Sequence, residues 1–186
     1  MENAISQNAI AEILNDYKQI EELILPAEPS MAQRLFRNLK KMYILSCGSY
    51  YEHRIIDSLK CYAKQQSDKY KHRPHGFDNM SQISFYKLFN FGQSTSSIKE
   101  AKEFLDPFKL LGDACKKSIV DDICKSDEMV INMKAFEEIC VLRNCLVHND
   151  LAIANDAIES KTFEEASVLN ENALKFVGYI ELKISE

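Results

Sequence analysis

The sequence predicts an all-α fold, a bundle of five to seven helices built on one long spine helix. Three observations lead there. Apolar residues recur at three- and four-residue intervals through several long stretches, the signature of helices with one buried face. No stretch alternates with a period of two. Chain breakers are few, with five Gly and four Pro in 186 residues, and Ala, Leu, Ile, Lys and Glu are abundant, as helices favour. A chain of this length forms one domain of ordinary size, residues 1–186, large enough to bury a core.

The first helix is expected over Ala4 to Leu25, with Ile5, Ala9, Ile10, Ile13, Leu14, Tyr17, Ile20, Leu23 and Ile24 along its stripe. Pro26 and Pro29 end it. Ser30-x-x-Gln33 reads as a capping box opening the second helix, which meets no strong stop until about Gln66. Its apolar positions are Leu35, Phe36, Leu39, Met42, Tyr43, Leu45, Ser46, Tyr50, Ile55, Ile56, Leu59 and Tyr62. This is the expected spine, and Gly48 is a place where it could kink. Small residues from Ser46 to Ser49 permit another helix to come close.

Lys69 to Gly76 is a polar, basic connection punctuated by Pro74. Its Lys71, His72, Arg73 and His75 make either a solvated loop or a nucleic-acid contact. His72-x-x-His75 lacks a third ligand, and Pro74 blocks a helix there, so no metal is expected. A short helix is predicted from Asp78 to Phe91, and another from a Ser97-x-x-Glu100 box to about Leu105, before Asp106-Pro107, which reads as a break or as a cap with Pro in the first turn. Ala114 to Lys125 follows, carrying Cys115, Ile119, Val120 and Ile123. The next helix starts near Asn132, and a polar stretch then runs to Lys161. Thr162-x-x-Glu165 caps the last helix, with Phe163, Ala166, Leu169, Ala173, Phe176, Val177 and Ile180 on its buried face.

Composition narrows the function classes. A hydrophobic content of 46% and charged content of 27% are those of a soluble globular protein. A net charge of −5 argues against a protein that coats nucleic acid generally, though a local basic cleft is compatible with it. Six Cys, at 47, 61, 115, 124, 140 and 145, include no C-x-x-C pair. With no signal peptide and no apolar run of membrane-spanning length, they read as reduced thiols in a cytoplasmic protein.

The helix near the motif carries Phe136, Ile139, Cys140, Leu142 or Val141, Leu146 and Val147 on its apolar side. Set among them are Arg143, Asn144 and His148, which packing alone does not require. Asn144 and His148 stand one turn apart on one face, and the long stem of Arg143 can bring its guanidinium to the same patch. A His that exchanges protons near neutral pH, beside a fixed cation able to hold phosphate, is the minimum equipment for cleaving RNA without a metal. Residue chemistry alone also allows a plainer account. A His in the last helical turn complements the helix dipole, and Arg143 could pair with Glu137 or Glu138.

In its order, Arg143-Asn144-x-x-Val147-His148 resembles the R-x4-H signature of the HEPN superfamily, all-helical proteins that include many RNA-cleaving toxins and defence nucleases. The stand-alone proteins of the RiboL-PSP kind are similar in layout. The resemblance implies a metal-independent endoribonuclease needing no cofactor. His148 would move the 2′-hydroxyl or leaving-group proton, Arg143 would hold the scissile phosphate, and Asn144 would orient His148 or bind phosphate. It further implies a homodimer, in which two copies of the motif meet at one composite site. Glu52 resembles the acidic side chain that faces the motif in such proteins. An antitoxin or defence partner is left open. Where some relatives extend the motif to a Tyr two residues after the His, this chain has Asp150, which makes control through tyrosine modification an unsuitable expectation. Asp150 would also raise the pKa of His148 or repel substrate. Two rival functions stand beside the nuclease: a non-catalytic module that binds RNA or protein through the same groove, and a helical dimerisation scaffold. A Cys145 nucleophile is a more distant third, since no group orients His148 for it.

Overall fold

The computed structural model describes residues 2–69, 89, 105, 113–147 and 156–185, and among them every regular element is a helix. Helix α1 spans Glu2–Gln19 and continues as a π-helical segment, Ile20–Ile24. Helix α2 spans Pro29–Lys69, α3 Asp113–Cys124, α4 Asp127–Val147 and α5 Phe163–Ser185. At 41 residues α2 is the expected spine. The helices predicted over 78–91 and 97–105 lie outside the described residues, apart from Phe89 and Leu105, and so does Asp106-Pro107.

Local chemistry accounts for most of the boundaries. The amide of Leu25 donates to the Ile20 carbonyl at 2.9 Å, a five-residue step that closes the π segment just before Pro26, which has no N–H to extend it. The wider turn rotates the stripe, and Leu23, expected on the buried side, is 71% exposed. Ser30 lies inside α2 and does not cap it. The helix begins with Pro29 in its first turn, where a missing N–H costs nothing, and the Glu28 carbonyl receives the first bond from Ala32. Helix α4 starts at Asp127, five residues earlier than expected, because the Ser126 hydroxyl accepts the Met129 N–H at 3.3 Å. The Thr162–Glu165 box forms as predicted, with the Thr162 amide donating to Glu165 Oε2 at 2.7 Å and the Glu165 amide to Thr162 Oγ1 at 3.1 Å. A single helical turn at 156–159 lies within the predicted polar stretch.

The chain forms two compact units, each assembled from separate stretches of sequence. The first comprises Met1–Tyr51 and Glu138–Glu171, the second Glu52–Glu137 and Asn172–Glu186. In the first, Ile10 and Ile13 of α1, Tyr43 and Ile44 of α2, Ile139 of α4 and Phe163 of α5 are buried. Tyr17 stacks on Phe163 with ring centroids 4.1 Å apart and lies 4.9 Å from Phe36. Its hydroxyl donates to Glu164 Oε1 at 3.0 Å. Burial, then that bond, pushes the Tyr17 pKa up to about 12. The second unit is centred on Phe136 of α4, which meets Phe89 edge-on at 5.0 Å and Phe176 of α5 at 5.2 Å. Ile55, Ile119, Ile123, Val177 and Ile180 are buried in the same unit. Arg54 grips Glu181 there through two parallel bonds, from Nε at 2.8 Å to Oε1 and from its terminal nitrogen to Oε2. Tyr179 donates to Asp122 at 2.9 Å, and Lys183 reaches the same carboxylate at 3.5 Å, tying α5 to α3. Of the expected apolar positions, Met42 and Val147 prove exposed, at 52% and 47%.

Candidate functional site

Arg143 and Asn144 lie in the first unit, near the C-terminal end of α4. The contact that seats Arg143 is unusually close. A Cβ placed on Gly48 of α2 would lie 2.8 Å from both Cβ and Cγ of Arg143. The arginine stem therefore rests directly on the α2 backbone, in space that any other residue at position 48 would fill. The run of small residues predicted to admit a neighbouring helix admits α4.

Beneath this contact the first unit buries a polar cluster. The Tyr51 hydroxyl donates to Asn170 Oδ1 at 2.6 Å. Ser167, Asn170 and Cys47 surround the Tyr43 hydroxyl without reaching hydrogen-bond geometry. Burial raises both tyrosines well above their usual range and pushes the Cys47 thiol up to about 12. Cys47 is consequently a neutral packing group, and so unsuited to nucleophilic attack. None of the six cysteines is in a disulfide.

Asn144 is half-buried. Its Oδ1 is fully enclosed and, among the described residues, has no hydrogen-bond partner. An amide oxygen accepts and cannot donate, so this atom suits an N–H such as that of an imidazole, not a phosphate oxygen. Arg143 is likewise half-buried. Glu138, one of the carboxylates that Arg143 could have paired with, instead forms an ion pair with Lys161 at 2.8 Å.

Residues 158–161, beyond the motif, are held by side chains with no mark of their own in the sequence. Lys40 of α2 donates to the carbonyls of Ile158 at 3.0 Å and Lys161 at 2.6 Å, and desolvation lowers its pKa. Arg37, almost one turn earlier on α2, pairs with Glu159 at 2.9 Å. With the Lys161–Glu138 pair, these contacts tie residues 158–161 to both α2 and α4. Only long-range pairing reveals them.

His148, the proton-handling residue of the motif, lies outside the described residues, one position beyond the end of α4. Lys71, His72, Arg73 and His75 also lie outside them, as does Asp150. Glu52 is half-buried on α2 and belongs to the second unit. The structure brings Arg143 together with Gly48, and it is Gly48 whose role here was visible only as a small residue in a small run. Among the described residues no group of three or more His, Cys, Asp or Glu side chains could hold a metal ion. Nor is any helix among them long and apolar enough to cross a membrane. No family model, curated protein or solved structure matches the chain.

Proposed function

We propose that the chain is a metal-independent endoribonuclease acting in the cytoplasm as a homodimer, with Arg143, Asn144 and His148 as its working residues. The observation that carries this proposal is the seating of the Arg143 stem on Gly48, with Asn144 beside it offering an enclosed, unpartnered amide oxygen. A stem fixed along its methylenes leaves the guanidinium few positions, which suits recognition of a phosphate better than a freely swinging cation would. The residue order Arg143-Asn144-x-x-Val147-His148 then supplies a proton carrier four residues after Asn144. In this scheme Asn144 Oδ1 accepts the imidazole N–H of His148, fixing the tautomer whose other nitrogen takes the proton of a ribose 2′-hydroxyl. The freed 2′-oxygen attacks the adjacent phosphorus, Arg143 stabilises the charge on the phosphate oxygens, and the 5′-oxygen leaves with a proton. A two-fold dimer would supply a second imidazole to deliver it. The products are a 2′,3′-cyclic phosphate and a 5′-hydroxyl, and DNA, lacking the 2′-hydroxyl, is spared.

The test is incubation of wild-type and His148→Ala protein with total RNA in EDTA, followed by analysis of fragment ends. Cleavage by wild type alone, leaving cyclic phosphate, is the expected result. Binding of RNA by both proteins with cleavage by neither would replace the enzyme with a non-catalytic RNA-binding module, which the net charge of −5 does not disfavour at a local site. A change of thermal stability alone would leave a helical scaffold. Such an enzyme needs restraint in its own cell, so an antitoxin or defence partner belongs to the same proposal.

A further inference from the structure

On α2, Arg34, Lys41 and Gly48 are spaced seven residues apart. Seven residues make nearly two helical turns, so the three positions share one face and follow one another at about 10 Å. At the third, the space a side chain would occupy holds the stem of Arg143. One face of α2 in the first unit therefore carries two cations, Arg34 and Lys41, in line with the seat of the Arg143 stem at the candidate site. The neighbouring cations are committed elsewhere: Arg37 pairs with Glu159, and Lys40 serves two carbonyls. Arg34 and Lys41 have no ion pair or hydrogen bond among the described residues. Two cations in register, with no partner among the described residues, stand on a chain of net charge −5, and like charges in line attract a chain of opposite charge. Met31 and Met42, both exposed, border the row with apolar surface.

We infer that this row is the track along which the backbone of a single RNA strand lies on its way to Arg143. The inference rests on the ribonuclease proposal for its substrate, but Arg34 and Lys41 act by binding and take no part in the chemistry. Each held phosphate releases counterions, so the two side chains leave a measurable mark on the salt dependence of binding.

The experiment measures equilibrium binding of a labelled single-stranded RNA dodecamer to the full chain carrying His148→Ala, between about 50 and 200 mM salt. The same chain with Arg34→Gln and Lys41→Gln is compared with one carrying Lys117→Gln and Lys125→Gln, a charge-matched control on exposed residues of the second unit. The expected result for the row variant is a loss of about tenfold or more in affinity at the lowest salt and a log–log salt slope shallower by about 1.4, two phosphates at 0.7 each. A DNA dodecamer of the same sequence should lose the same factor, because the row meets phosphates. An unchanged slope, an equal loss in the control, a loss confined to RNA, or no RNA binding by the parent would each overturn the track. Cleavage in EDTA is read separately. A wild type that cleaves, with a row variant that binds unaltered, removes the track and leaves the nuclease. A wild type that never cleaves, with a row variant that loses binding, does the reverse.

Discussion

Gly48→Ala should destabilise the protein, although the same change in an exposed helix would stabilise it. In a helix interior Ala is favoured over Gly by about 1 kcal/mol. Against this stands a Cβ at 2.8 Å from Arg143 Cβ and Cγ. Cγ could be turned aside, but Cβ is fixed to the α4 backbone, so the helices must part by several tenths of an ångström. Overpacking of this kind costs about 1–3 kcal/mol. The difference is a net loss of about 1 kcal/mol, with about 2 as its upper end, or a fall of about 2–4 °C in Tm per kcal/mol for a chain of this size. Thermal denaturation of wild type and Gly48→Ala, followed by circular dichroism, reads it directly. A second pair sharpens the result. Arg143→Ala removes Cγ but keeps Cβ, so Gly48→Ala should still cost stability in that background. A rise in Tm for Gly48→Ala in the wild-type background would refute the close contact and, with it, the seating of Arg143.

Three further outcomes are expected. With its thiol pushed up to about 12 and buried, Cys47 should resist a thiol reagent at pH 8 until the protein unfolds, while exposed Cys61 and Cys124 react at once; mass mapping of labelled peptides distinguishes them. The Tyr179 hydrogen bond, then Lys183, lowers the pKa of Asp122. A depressed folded-state value means that its stabilisation is present above the unfolded value of about 3.9 and is lost as pH falls towards the folded one. The Tm gap between wild type and Asp122→Asn should therefore hold from pH 7 to 5 and close below pH 4, and a gap that widens on acidification would contradict the assignment. Tyr51→Phe should cost about 1–3 kcal/mol by stranding Asn170 Oδ1 in the buried cluster, measurable as a shift in urea midpoint without a change in slope.

Local chemistry was legible in the sequence, and pairing across the chain was not. The Thr162–Glu165 box was readable because both partners sit within one turn and need nothing else. The start of α4 had its own local signal in Ser126 followed by Asp127 and Glu128, but without an acid or amide three residues on it lacks the reciprocal half of a box. The π segment at Ile20–Ile24 has no periodicity of its own, and it turned Leu23 outward against the helical pattern. Small residues around Gly48 announced a close approach, yet nothing in them named Arg143. Lys40 looks like any surface lysine until its two carbonyl partners, 118 and 121 residues away, are known. For the motif, the order of Arg143, Asn144 and Val147 was visible at once, whereas the enclosure of Asn144 Oδ1 depends on tertiary packing.

The way the two compact units share the sequence has a consequence for biosynthesis. Each draws on an early stretch and a late one: the first needs Glu138–Glu171 to complete what Met1–Tyr51 begins, and the second needs Asn172–Glu186. During translation at about 5–20 residues per second, the N-terminal half emerges with neither unit able to close. For several seconds, Tyr43, Ile44 and Ile55 of α2 have no late partner to cover them. Contacts of such high sequence separation also slow folding once the chain is complete. A chain cut short before Asn172 would hold every residue of the first unit and lack Phe176, Val177 and Ile180 of the second. The motif region would then be made before the chain that finishes the second core.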